Sequence, residues 1–301
     1  MPDSVSPFMI RHAEGADKDK VLAFCDHTFD WGDYLRLVWD DWFADGTGPL
    51  LVATLDEEPV GVAKVTLVTP TEAWLQGLRI HQAYRRRGLA WQFQTRCLNV
   101  ARELGASVAR LATSSKNTPV HKTTERAGMR RAVEVEVLQA ASVPSGKGSV
   151  PLAPLTLEDW PQVSKFIFDG AALAAMGGLY ETDWMWQTLT HDKLRAHLAR
   201  GQVLAVRAED GEIATVAVVS AVDLVDQVLP VGYADGREPH MTSLALGLRG
   251  RAGALQAAKA EVALPVASPL RQAFVRAGYK PEDESGTTFY IYELDLKGAA
   301  L

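Results

Sequence analysis

The stretch WLQGLRIHQAYRRRGLAWQFQTRCLNVARELG (residues 74–105) decides how the chain reads. Trp74–Ile80 has the character of a strand, and Leu89–Leu104 places Phe93, Cys97, Ala101 and Leu104 at helical spacing. Between them lies a loop that carries Arg85, Arg86 and Arg87 and meets the helix at Gly88. The first N–H groups of a helix have no internal partner, and the helix dipole leaves partial positive charge there. A diphosphate can therefore be held by the backbone amides of Arg86, Arg87, Gly88, Leu89 and Ala90. Glycine at 88 lets an anion approach the backbone, and three guanidinium groups add charge-assisted contacts. The junction predicts a phosphate-bearing ligand.

Working outward, Phe8–His12 reads as a strand, Ala16–Phe29 and Asp33–Ala44 as helices, and Pro49–Leu55 with Val60–Val68 as a hairpin around an acidic turn. After the Arg-rich loop and its helix come a strand at Val108–Thr113, a helix at Asn117–Ala127 stopped by Gly128, and a strand at Val133–Leu138. A Pro, Gly and Ser-rich boundary follows at AASVPSGKGSVPLAPLTLEDW (140–160). Beyond it the same order recurs. Leu152–Thr156 is a strand, Trp160–Phe168 and Trp184–Leu198 are helices, and Val203–Arg207, Ala214–Val222 and Val228–Gly232 are strands. A helix within Pro239–Leu248, a strand at Val262–Val266, a helix at Pro269–Ala277 and a strand at Phe289–Leu294 complete it. PVHKTTERAGM (119–129) echoes PLRQAFVRAGY (269–279), so an internal duplication is expected.

Length and composition bound the function. With 301 residues, 47% hydrophobic and 23% charged, the chain suits two folded domains. No apolar run reaches the ~18–20 residues of a membrane span, and the N-terminus lacks the order of a signal peptide, which predicts a cytoplasmic protein with no membrane partner. Cys25 and Cys97 stand outside any metal-binding spacing, so no metal site is expected and both read as buried thiols. Residues 1–72 hold 5 Lys/Arg against 14 Asp/Glu, and residues 73–145 hold 12 against 4. That polarity suits an anionic ligand beside a cationic one. The overall charge of −6 and the short basic stretch argue against nucleic acid. A nucleoside triphosphate is disfavoured because the G-x-x-x-x-G-K-[ST] loop is missing.

The spacing Arg85-x-x-Gly88-x-Ala90, with a strand before it and a helix after it, resembles the Q/R-x-x-G-x-G/A loop of the GNAT superfamily of acyl-CoA N-acyltransferases. The likeness covers residues 60–140. The second half is similar in outline only: VGYADGREPHM (231–241) stands where the loop belongs, without the arginines or the spacing, and GLRGRAGA (247–254), the only other candidate loop, lies too near the final Gly278 to fit the order. The resemblance implies an α+β fold of two tandem GNAT-like domains, 1–143 with an intact loop and 150–301 degenerate. Each would be a mixed, mostly antiparallel sheet with helices on both faces and a V-shaped splay between its fourth and fifth strands.

It also implies acetyl-CoA as co-substrate, and transfer of an acetyl or other short acyl group to a primary amine by direct attack through a tetrahedral intermediate. The backbone near Leu78 and Ile80 would hold the thioester and polarise its carbonyl. Asn117 matches the asparagine that contacts the pantetheine arm, and it can also cap its helix. Several family members carry a glutamate base where Trp74 stands, which leaves Glu72 as the substitute base. The tyrosine that protonates the leaving thiolate is replaced by Thr124, leaving His121, one turn earlier, or solvent as the acid. Strand alternation places Glu72, Trp74, Gln76, Leu78 and Ile80 on one face.

Acceptor recognition in the family falls to the first two helices. Here CDHTFDWGDYLRLVWDDWFAD (25–45) interleaves Asp26, Asp30, Asp33, Asp40 and Asp41 with Trp31, Tyr34, Trp39 and Trp42. Acids attract an ammonium and aromatic faces enclose it, so Asp33, Tyr34, Trp39 and Gln76 are the acceptor candidates and the partner is a small-molecule or peptide amine. The same residues also fit a helix cap and a core stripe. A homodimer is compatible with the sequence. The alternative to an enzyme is a non-catalytic CoA-binding or interaction module on the same fold.

Overall fold

The computed structural model describes residues 8–26, 28, 32–144, 150–283 and 285–298. The chain forms two compact units, and they do not coincide with the sequence halves 1–143 and 150–301. The first comprises Met1–Thr113, Asn117–Arg131 and Tyr292–Leu301, and the second Ser114–Lys116 and Ala132–Ile291. No helix among the described residues is long and apolar enough to cross a membrane.

The first unit runs β1 (Met9–His12), α1 (Lys18–Cys25), α2 (Leu35–Ala44), β2 (Leu50–Leu55), β3 (Glu58–Thr69), β4 (Glu72–Ile80), α3 (Leu89–Glu103), β5 (Val108–Ser114) and α4 (Thr118–Arg126), followed by the start of β6 (Arg130–Ala141). The expected helix at Ala16–Phe29 is a 3-10 turn at Gly15–Asp17 followed by the shorter α1, and Phe29 lies outside the described residues. Strands pair in the order β1-β2-β3-β4-β5, antiparallel except for β4 and β5. Val21, Leu22 and Cys25 of α1 and Leu35 and Trp39 of α2 cover one sheet face, against Val52 and Val62. Helix α3 lies on the other: a Cβ at Gly61 would meet Phe93 at 3.2 Å and Ile80 at 2.9 Å. Each such buried apolar side chain contributes roughly 1.5–3 kcal/mol.

The second unit takes Ala132–Ala141 of β6 and continues with β7 (Ala153–Pro154), α5 (Trp160–Phe168), α6 (Ala171–Ala175), β8 (Leu179–Thr182), β9 (Met185–Thr188), α7 (His191–Ala199), β10 (Val203–Arg207), β11 (Ile213–Val219), β12 (Val228–Gly236), α8 (Met241–Ala254), β13 (Lys259–Pro265), α9 (Leu270–Arg276), β14 (Lys280–Pro281) and, as far as Ile291, the start of β15 (Phe289–Asp295). Its order β7-β10-β11-β12-β13 repeats that of the first unit, with β12 and β13 as the parallel pair. In both units an antiparallel strand follows the fifth. In the second it is β6, which pairs with β13, and in the first it is the end of β15, where Leu296 N donates to Ser107 O at 2.8 Å. The last strand of each sequence half thus completes the other unit.

The echo between residues 119–129 and 269–279 is structural. Gly128 (φ +85°) and Gly278 (φ +89°) stop α4 and α9 in the same way, with Met129 N donating to Thr124 O and Tyr279 N to Phe274 O. One expectation for the second half fails. Trp184–Leu198 is not one helix, because Leu179–Thr188 forms the β8–β9 hairpin and α7 begins at His191. GLRGRAGA (247–254) is not a loop but part of α8. Its Gly247 and Gly253 sit where a Cβ would collide with Leu152 and with the Val143 carbonyl, so these glycines let the segments flanking residues 145–149 lie against the helix.

Candidate functional site

Parallel pairing of β4 with β5 covers only Glu72↔Val108, Ala73↔Ala109 and Trp74↔Arg110. Beyond Trp74 the strands part, and among the described residues no strand pairs with the β5-facing edge of β4 from Leu75 to Ile80. The antiparallel register with β3 shifts by one residue between Lys64↔Gln76 and Val62↔Arg79, which defines a bulge at Gly77–Leu78. Gly77 adopts φ +69°, and a Cβ there would stand 2.5 Å from the Trp42 ring. The extra residue breaks the expected alternation. Trp74, Gln76 and Arg79 lie opposite Thr66, Lys64 and Val62 on the α1–α2 face, whereas Leu78 and Ile80 do not share it.

At the open end the chain turns through His81, whose Nδ1 accepts from Ala83 N at 3.1 Å, and Arg85, whose Nε donates to Ile80 O at 3.0 Å. Arg87 lies over the Tyr84 ring at 5.2 Å. Arg85, Arg86, Arg87 and Gly88 are exposed, Leu89 is buried and Ala90 half-buried. Arg86 makes no ion pair among the described residues and holds a positive φ of 63°. Gly88 is the N-cap of α3 at φ +79°, and no side chain caps the helix. A Cβ at Gly88 would meet nothing within 4 Å, so the space in front of the first-turn amides is open. Exposed cations, uncapped amides and an empty approach together fit a phosphate group. Asn117 at the start of α4 is half-buried, and its side chain makes no capping bond, which leaves its amide available to a ligand.

The catalytic candidates fare differently. Glu72 is buried at the paired end of β4, and Arg110 Nη1 holds its carboxylate at 2.5 Å. Arg110 also reaches Glu293 at 3.2 Å. A carboxylate occupied in this way and away from the splay is poorly placed for the expected role as base. His121 is half-buried on α4, its ring 6.2 Å from that of Tyr292, whose hydroxyl donates to Glu125 at 3.0 Å. Burial, then the bond to Glu125, pushes the Tyr292 phenol above its ordinary range. Thr124 is fully buried, and its hydroxyl finds no partner.

The acceptor candidates divide as well. Asp33 accepts from Leu35 N at 3.0 Å and from Arg79 Nε at 2.7 Å, and its side chain is 1% exposed. It is a cap and an ion-pair partner, not a free anion. Burial works against the Arg79 guanidinium, yet Asp33 and Tyr34 hold its pKa above the usual value. Tyr34 lies beneath that guanidinium, 5.3 Å away, and meets Trp42 edge-on at 5.9 Å. Trp39 is 1% exposed and belongs to the core, so its acceptor role is corrected too. Asp26 pairs with Arg36 at 2.9 Å and Asp40 with Lys18 at 2.7 Å, so these two acids are already engaged. Asp41 remains exposed, and Asp30 and Trp31 lie outside the described residues. Gln76 and Tyr34 therefore stay near the splay, joined by Arg79, Gly77 and Trp42. Sequence reasoning passed over Arg79 and Gly77, although a charge and a glycine inside an apolar strand are signals of a buried partner and a bulge. Cys25 and Cys97 are buried, and desolvation pushes both thiols up to about 12.

Residues 20–129 match the model of the Acetyltransferase (GNAT) family. A search of curated proteins finds no match. Among solved structures, the chain is similar to a GCN5-related N-acetyltransferase from Sphaerobacter thermophilus, with TM-score 0.62, 13% identity and 98% of each chain covered. It is similar to a tandem GNAT protein from the clavulanic acid biosynthesis pathway, with TM-score 0.54, 15% identity, and 98% of this chain and 100% of that one covered. A glucosamine N-acetyltransferase region of a fungal multi-domain protein gives TM-score 0.59 at 14% identity, covering 97% of this chain and 38% of that one. At these identities the likeness is one of fold.

Proposed function

Taking as premises a GNAT-family domain in residues 20–129 and a tandem GNAT fold, we propose that the first unit is an N-acyltransferase that moves an acetyl or other short acyl group from acetyl-CoA to a primary amine. The observation that carries this reading is the conjunction of the open β4–β5 splay with the uncapped start of α3 behind the arginine triplet. Acetyl-CoA, when bound, supplies an activated thioester carbonyl. Arg86, Arg87 and the amides from Gly88 to Ala90 hold the phosphates, and Asn117 donates to the pantetheine arm. The bulge turns backbone groups of Gly77 and Leu78 out of the regular ladder, where an N–H can stabilise negative charge developing on the carbonyl oxygen. The amine attacks directly, so it must arrive neutral. With Glu72 tied to Arg110, proton removal falls to water in the splay, and His121 of α4 is the candidate acid for the leaving thiolate.

Cofactor binding without turnover is the second reading, favoured by the engagement of Glu72 and the burial of Thr124. Two measurements separate the possibilities. Gly88→Glu places an anion before the α3 amides and should abolish acetyl-CoA binding by calorimetry while leaving the thermal melt cooperative. Thiol release from acetyl-CoA across a panel of amines should be detectable in the wild type. Binding without release across the panel supports the module, and binding that survives Gly88→Glu removes the proposed pocket.

A further inference from the structure

The splay of the second unit is built differently. Pairing of β12 with β13 ends at Val231↔Val262. Past that point lies a cavity of about 640 Å³ lined wholly by residues of this unit. That volume lies within the ~300–1,000 Å³ typical of small-molecule sites. Its walls are largely apolar, with Phe166 of α5, Ala172 and Ala175 of α6, Leu264 of β13, and Val266 and Leu270 beyond it.

Three charged residues line this cavity, Asp235 at the end of β12, Arg237 just past it and Glu134 of β6, whose Oε1 accepts from the Thr288 hydroxyl at 2.7 Å. Asp235 Oδ2 accepts from the Tyr233 hydroxyl at 3.2 Å and its Oδ1 from Gly236 N at 2.7 Å, and among the described residues no Lys, Arg or His pairs with it. The guanidinium of Arg237, next but one in sequence, lies over the Phe166 ring at 5.1 Å instead. A Cβ at Gly170 would stand 2.8 Å from Asp235 Oδ2, so glycine there keeps the space beside that oxygen clear. A half-buried carboxylate is costly in a largely apolar wall, and burial raises the pKa of this group, an effect that its two hydrogen bonds and the charge of Arg237 offset only in part. The arginine triplet and the N-cap glycine of the first unit have no counterpart here, where His240 is the N-cap of α8. The turn into α8 reads Arg237-Glu238-Pro239-His240, and Glu238 pairs with Arg276 at 3.0 Å.

We propose that the cleft of the second unit binds a small organic cation, a primary amine on an apolar body, with its ammonium on Asp235 and its body in the cavity. This inference stands apart from acyl transfer in the first unit. The test is calorimetric titration of the full chain with butylamine, octylamine and phenethylamine and with the matching alcohols, in the wild type, Asp235→Asn and Ala175→Phe. At least one amine should bind the wild type at one site. Asp235→Asn, which changes charge and not shape, should weaken that amine at least tenfold while leaving its alcohol unchanged. Ala175→Phe should abolish binding of both by filling the cavity, and Ala172→Leu serves if that variant does not melt cooperatively. Coenzyme A affinity should be the same in every variant. Amine binding that is indifferent to Asp235→Asn, or that survives filling of the cavity, overturns the proposal. So does the absence of amine binding up to millimolar concentration, or coenzyme A binding that the cavity-filling variant removes.

Discussion

Asp33 serves two neighbours with one carboxylate: it caps the backbone at Leu35 and neutralises Arg79, which in turn covers Tyr34. Removing the acid leaves a largely buried guanidinium unpaired, so Asp33→Ala should lower stability by about 3–5 kcal/mol in urea denaturation. An ammonium-binding surface residue would give a far smaller loss. Glu181 in the second unit makes a pH-dependent case. Burial pushes its carboxyl from 4.5 up to about 7, against a hydrogen bond from Trp184 N at 2.5 Å. The folded state therefore holds this proton more tightly than the unfolded chain, and stability is lost as pH rises from about 4.5 through about 7. The melting temperature should fall between pH 5 and pH 8. Glu181→Gln should flatten that slope and melt higher than wild type at pH 8. A variant with an unchanged slope would refute this assignment.

Element positions were largely readable from periodicity and from turn residues, because apolar spacing and Gly or Pro punctuation act locally. The strand β4 was read without its bulge because alternation assumes an unbroken ladder, whereas Gly77 escapes it through a positive φ against the Trp42 ring. Gly77→Ala should therefore cost about 1–3 kcal/mol in denaturant unfolding and reduce thiol release by more than the loss of folded protein explains. The β8–β9 hairpin escaped notice for a related reason. Its turn residues Asp183 and Trp184 both adopt positive φ, 52° and 59°, without the Asn-Gly or Asp-Gly pair that normally announces such a turn. The candidate phosphate loop was legible because its chemistry is contiguous. The partners of Glu72, Asp33 and Asp40 were not, since Arg110, Arg79 and Lys18 come from elsewhere in the sequence.

Across the whole chain, the exchange of final strands makes each unit depend on residues from the other sequence half. Tyr292 and Leu296, both buried, and the Arg110–Glu293 pair belong to the first unit although they lie beyond residue 290. A fragment of residues 1–143 should consequently lack a cooperative thermal transition that the full chain has, and a fragment that melts cooperatively would contradict the exchange. Across residues 1–145, Asp33 of the acidic segment is paired with Arg79 of the basic one, while Arg86 beside α3 makes no ion pair among the described residues. The most direct measurement is a crystal structure of the full chain with coenzyme A. The diphosphate should lie within hydrogen-bond distance of the amides from Arg87 to Ala90, with the pantetheine arm running into the gap between β4 and β5. A diphosphate seated elsewhere, or none at saturating coenzyme A, would contradict this placement.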